Sequence, residues 1–140
     1  MAILFVNQGV ERLMDFLLNG TGGGCGTNIY LFTNNHTPDV TDTVGNYTQC
    51  TSCDPDGFIQ TGLWTVSVSA GVATCETGPL DFVFAPSGSP DTIYGYICSD
   101  PTQAGTPLFF VEKLDTPFVV PATGCTLRVN ISWKAQMCAP

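Results

Sequence analysis

Apolar and polar positions alternate with a period of two through most of the chain, and with a helical period only near its start. The clearest alternation flanks a turn. Thr92–Cys98 and Leu108–Leu114 are β-branched and aromatic, and the Gly and Pro residues between them cannot continue a ladder, so they predict a long antiparallel hairpin. Along its second arm Leu108, Phe110 and Glu112 share one face, while Phe109, Val111 and Lys113 share the other. Both faces begin apolar, so cover is needed on both sides at that end. Further strands are predicted over Asn28–Thr33, Ile59–Leu63, Trp64–Ser69, Gly71–Thr77 and Pro79–Ala85. Cys125–Trp133 reads as one closing strand with Leu127, Val129, Ile131 and Trp133 on one face, and Pro117–Val120 as a short extra one. Asn34–Asn46 is a long polar loop, and Tyr47–Phe58, broken by Pro55 and Gly57, stays irregular.

The exception lies at the beginning. Val10, Leu13, Met14, Leu17 and Leu18 fall at the spacing of one helix face, with Asn7 as N-cap and Gly20 as stop. Ile3–Val6, before it, reads as an arm or a short strand. Seven to nine strands with turn signals every 8–12 residues or so predict a mainly β, single-domain antiparallel β-sandwich or jelly-roll-like barrel with one N-terminal amphipathic helix. The arm and helix occupy 1–20 and the strands 28–134 of a single domain, 1–140.

Charge narrows the function classes. Only 11% of residues are charged, against about 25% in an average domain, so the surface must be built from Thr, Ser, Asn, Gln and Gly. Four basic and twelve acidic residues give a net charge of −8, which repels a phosphate backbone and argues against nucleic-acid binding. No run approaches the roughly 20 apolar residues of a membrane span, and Met1 to Val6 lacks the basic region and cleavage site of a signal peptide.

Candidate chemistry is sparse. His36 is the only histidine, lies in a polar loop, and has no nucleophile motif near it in sequence, so an exposed, inert imidazole is expected. Seven cysteines, Cys25, Cys50, Cys53, Cys75, Cys98, Cys125 and Cys138, are many for a chain without an export signal. Cys50-Thr-Ser-Cys53 is the sharpest motif, and a disulfide within a loop, unpaired thiols and a metal site are all open to it. Asp54-Pro-Asp56-Gly57 starts like a calcium loop, with Asp39 and Asp42 as further carboxylates, but Thr65 stands where the closing Glu belongs. Gly20–Gly26 follows a helix pattern and precedes a strand, the reverse of a phosphate loop, and reads as a flexible turn. No cofactor is expected.

Three blocks carry a resemblance to small structural proteins of tailed bacteriophages. They are Ile3-Leu4-Phe5-Val6-Asn7 with Glu11-Arg12-Leu13-Met14, then Leu31-Phe32-Thr33-Asn34-Asn35 with Thr37-Pro38, then Ile93-Tyr94-Gly95-Tyr96 running through Leu108-Phe109 to Pro117-Phe118-Val119-Val120-Pro121. The cysteine richness departs from that pattern. The resemblance implies a non-enzymatic virion component made in the host cytoplasm, a capsid decoration (cement) protein that bridges major capsid subunits. Assembly as a homotrimer is expected, with Ile3, Leu4, Phe5 and Val6 making contacts. The alternative is a tail- or fibre-associated adhesin that binds host glycans through the 34–46 loop and aromatic side chains such as Tyr47.

Overall fold

The computed structural model describes residues 3–7, 27–54, 58–61, 65–69, 72–87, 91–100 and 106–136. The predicted helix over Val10–Leu18 and the Gly20–Gly26 turn lie outside them. Within them the chain is mainly β, and every strand pairing is antiparallel. The strands are β1 (Leu4–Phe5), β2 (Thr27–Phe32), β3 (Cys53–Asp54), β4 (Phe58–Thr61), β5 (Thr65–Ser69) and β6 (Val72–Glu76). They continue with β7 (Leu80–Phe84), β8 (Thr92–Ser99), β9 (Leu108–Val119), β10 (Cys125–Val129) and β11 (Ser132–Gln136). No helix among the described residues is long and apolar enough to cross a membrane.

The hairpin predicted from the sequence is the centre of the largest sheet, whose order is β1-β9-β8-β2-β4. Its second arm is longer than expected, because Pro117–Val120 does not form a strand of its own. Instead β9 runs to Val119, and between the pairs Gly95↔Lys113 and Ile93↔Phe118 it carries a bulge that accommodates Pro117, which has no N–H to give to a ladder. A second irregularity separates Cys98↔Phe110 from Ser99↔Leu108. It overturns the expected face pattern, since Leu108 packs with Val111 and not with Phe110.

That sheet is apolar on both faces. On one, Ile29, Leu31, Ile93, Tyr96, Cys98 and Phe110 form a single buried cluster with Leu80, Phe82, Phe84, Cys53 and Val129 of a second sheet, β10-β7-β3. On the other, Phe32, Ile97, Leu108 and Val111 are buried with Val6 and Tyr47, against which Leu4, Tyr30, Val44 and Tyr94 pack. Fully burying each such side chain contributes about 1.5–3 kcal/mol, so both clusters matter to a fold of this size.

The close of the chain differs from the single strand predicted over Cys125–Trp133. It breaks at Asn130–Ile131 into β10 and β11, which join different sheets. Its partner breaks at the same level, between β6 and β7, where Pro79 interrupts the ladder. The Thr77 N–H donates to the Ile131 carbonyl (2.9 Å) and Thr77 Oγ1 accepts from the Ile131 N–H (3.3 Å). One two-stranded ribbon therefore bends from the β10-β7-β3 sheet into the β11-β6-β5 sheet. The expected alternation survives the bend: Val129 and Ile131 are buried, Leu127 and Trp133 half-buried, and Thr126, Arg128, Asn130 and Ser132 exposed.

At the turn into β10, Gly124 has φ +77°, a left-handed conformation that disfavours side chains, and an added Cβ would lie 2.5 Å from the Phe84 carbonyl oxygen.

Candidate functional site

Among the described residues, a dense network of polar side chains lies in the segment between β2 and β3, which the sequence presents as a polar loop. Its ends are joined by Asn34, whose Nδ2 donates to the Asn46 carbonyl (2.9 Å) and whose Oδ1 accepts from the Thr48 N–H (2.7 Å). Thr33 N–H reaches the Thr48 carbonyl (2.8 Å) and Cys50 N–H the Leu31 carbonyl (2.8 Å), so the chain returns beside β2. A single 3-10 turn, Val44–Asn46, is closed by Thr43 and Asn46 in a reciprocal cap. Lys113 Nζ ties the loop to β9 by donating to Asn35 Oδ1 (2.7 Å), and Asn7 N–H ties it to the N-terminal arm through the Val40 carbonyl (2.9 Å).

Asp42 organises the interior of this loop. Its Oδ2 accepts from Tyr47 OH (2.6 Å), His36 Nε2 (2.8 Å) and the Asp39 N–H (2.9 Å). A carboxylate can only accept, so Nε2 carries the imidazole proton in this contact. Burial of Asp42, which is 6% exposed, opposes its ionisation. The bonds from Tyr47, Asp39 and His36 outweigh that and hold its carboxyl below the ordinary range. The Tyr47 hydroxyl is pushed far up by burial and by Asp42. Asp39 is held low chiefly by the Thr41 hydroxyl and N–H, both of which bond to its Oδ1.

Two expectations change here. His36 is half-buried, stands edge-on to Tyr47 with ring centroids 5.1 Å apart, and is a working member of the network, not a loose imidazole. Tyr47 is 4% exposed and packs against Phe32 (4.9 Å), so its ring is not a surface on which a sugar could stack. The cluster acts as a clasp: its buried carboxylate accepts three hydrogen bonds from residues along the loop. In the sequence Asp39 and Asp42 stand out only as carboxylates beside a calcium-like run. The Asp39-x-Thr41 spacing, in which a carboxylate accepts from the backbone two residues on, was the available signal.

The cysteines separate into different environments. Cys98 is buried in the sheet, and burial pushes its thiol well up, so it behaves as an inert apolar side chain. Cys125 and Cys53 both pair with Phe84, from opposite sides of β7. Cys75 lies on β6 opposite Trp133. Cys25, Cys138 and Pro55–Gly57 of the calcium-like run lie outside the described residues. Cys50, Cys53, Cys98 and Cys125 are thiols, and among the described residues no three His, Cys, Asp or Glu side chains are grouped to hold a metal ion.

The predicted contact residues Ile3, Leu4, Phe5 and Val6 are placed within the chain's own fold. Leu4 and Phe5 pair with Val111 and Phe110, Val6 is fully buried, and Ile3 packs on the core.

Glu112, which the alternation puts on one face of the hairpin's second arm with Leu108 and Phe110, is 5% exposed and accepts a hydrogen bond from Tyr96 OH. Burial raises its carboxyl above the ordinary range, with Asp115 adding to the effect. A raised folded value means stability is fully present below the unfolded value and is lost as pH rises through the folded one. Glu112→Gln keeps an acceptor for Tyr96 and cannot ionise, so it is expected to stabilise the protein by about 1 kcal/mol near pH 7. Thermal melts at several pH values check this: the advantage should vanish below roughly pH 4, where Glu112 is protonated in both states.

No protein-family model matches this chain, and no curated protein matches it at a significant level.

Proposed function

We propose that this chain is a non-enzymatic structural protein of a virion, a capsid decoration protein that assembles with copies of itself and with the major capsid protein. In this reading its sheets form a two-layered sandwich of jelly-roll type, with the 34–47 loop as an outer cover. Support comes from the edge of the largest sheet. β1 pairs only with Phe110 and Val111, while β9 runs on to Val119, and beyond Val111 its outer side meets no further described strand. Val119 is 59% exposed there. A long strand whose outer side is incompletely covered by the described residues suits addition of an extended segment from a neighbour, and closed symmetry multiplies such a contact. The surface chemistry agrees: Thr65, Ser67 and Ser69 of β5 are all exposed, a low-charge hydroxyl face that can pack without desolvating ions.

The expected result is that purified particles contain many copies of the chain on the capsid surface, and that the isolated protein sediments as a trimer. Absence from particles, or one copy per particle, would remove the decoration reading. The adhesin alternative has lost Tyr47 as a contact and is favoured by no observation of its own.

A further inference from the structure

We propose that Cys50 and Cys53 form a two-electron redox pair, which a small hydroperoxide closes into an intrachain disulfide at the point where the chain crosses between sheets. Cys50 is anchored to β2 through its N–H, and Cys53 begins β3, which pairs with β7 of the second sheet. Only Thr51 and Ser52 separate them. The Cys50 and Cys53 side chains are buried in one cluster, and the Ser52 hydroxyl lies 3.3 Å from the Cys50 sulfur. Ser52 in turn bonds to the Asp91 carboxylate, at the entry to β8. Two sulfurs this close in sequence and in one buried cluster are placed for a short intrachain link.

The environment selects which sulfur attacks. Hydrogen bonding, first from Cys53 and then from Ser52, holds the Cys50 thiol below its ordinary range against the opposing effects of burial and of Asp91. Cys50 therefore ionises more readily than an ordinary thiol, and the thiolate is the form that reacts. Both side chains are nearly covered, at 2% and 4% exposure, which favours a reagent the size of hydrogen peroxide over a bulky disulfide.

In the first step the Cys50 sulfur bonds to one peroxide oxygen and the O–O bond breaks, releasing hydroxide and leaving a sulfenic acid. In the second the Cys53 sulfur attacks that sulfur, the S–O bond breaks, and the leaving hydroxide takes the Cys53 proton as water. Two thiols lose two electrons and the peroxide becomes two waters. A dithiol reductant reverses the change.

The test uses the full, reduced chain treated with one equivalent of hydrogen peroxide, quenched by alkylation in denaturant and digested with chymotrypsin. The peptide Thr48–Phe58 contains both residues and no other cysteine. The proposal expects this peptide to lose two hydrogens and both alkylation sites, to recover them with dithiothreitol, and to react at least roughly tenfold faster than Cys98. In Cys53→Ser, checked for native circular dichroism, dimedone should trap a sulfenic acid on Cys50. Retention of both thiols in the native chain under excess peroxide would overturn the proposal, as would linkage of Cys50 to a different cysteine.

Discussion

Gly95→Ala is expected to lower the thermal midpoint by roughly 10 °C or more, corresponding to about 3 kcal/mol, the upper end of the usual cost of overpacking. The cause is space, not backbone conformation. A Cβ at residue 95 would lie 2.1 Å from the Glu112 carbonyl oxygen and 2.7 Å from two carbons of the Phe32 ring. Phe32 and Lys113 are the two cross-strand partners of Gly95, so the added methyl group would strike the middle of the sheet. The Phe32 ring could be trimmed to make room, but the Glu112 carbonyl belongs to the backbone of β9 and cannot withdraw without parting it from β8. Gly95→Ala combined with Phe32→Leu should therefore recover little of the loss, and melts of the two single variants and the double variant would measure this.

The second large effect is expected at Asp42. Asp42→Ala leaves Tyr47 OH, the Asp39 N–H and His36 Nε2 without their shared acceptor beside the core, at a cost of about 2–4 kcal/mol. Asp42→Asn keeps the shape but not the charge and should lose roughly half as much. The pH dependence distinguishes lost charge from lost packing. Because the folded carboxyl titrates below its unfolded value, its contribution is present above about pH 4 and is lost as pH falls through the folded value. The gap between wild type and Asp42→Asn should narrow in acid, whereas a packing defect would leave it unchanged. Urea unfolding at pH 7 and near pH 2.5 makes the comparison.

The sequence made the strands readable because their signal is local. Thr92–Cys98, Leu108–Leu114 and Leu80–Phe84 alternate or cluster β-branched and aromatic residues, and the structure has strands at each. What escaped depends on partners distant in the chain. β3 is two residues long and exists because Phe84 offers it an edge, which no window around Cys53 could reveal. The break at Asn130 is invisible in the alternation because the ribbon bends without changing which side chains face inward. The shift that moves Leu108 to the side of Val111 follows from an irregular pairing of β8 with β9 and not from anything in Leu108-Phe109-Phe110 itself. The 34–46 loop was recognised by composition, but polar composition concealed that Tyr47 anchors it and Asp42 holds it closed. Polar residues that bond to one another form ordered structure, and composition alone cannot distinguish them from polar residues that bond to water.

The 34–47 segment is either a fixed layer over the second face of the large sheet, as its contacts indicate, or a loop held out for a ligand. Native-state hydrogen exchange at neutral pH reads this directly. The amides of Asp39, Asp42, Asn46, Tyr47 and Thr48 all donate within the segment or to its closing residue Asn34. They are predicted to exchange within about tenfold of the β2 amides Ile29 and Leu31, opening only with the sheet. Exchange of those five amides at unfolded-chain rates, while β2, β8 and β9 stay protected, would contradict it.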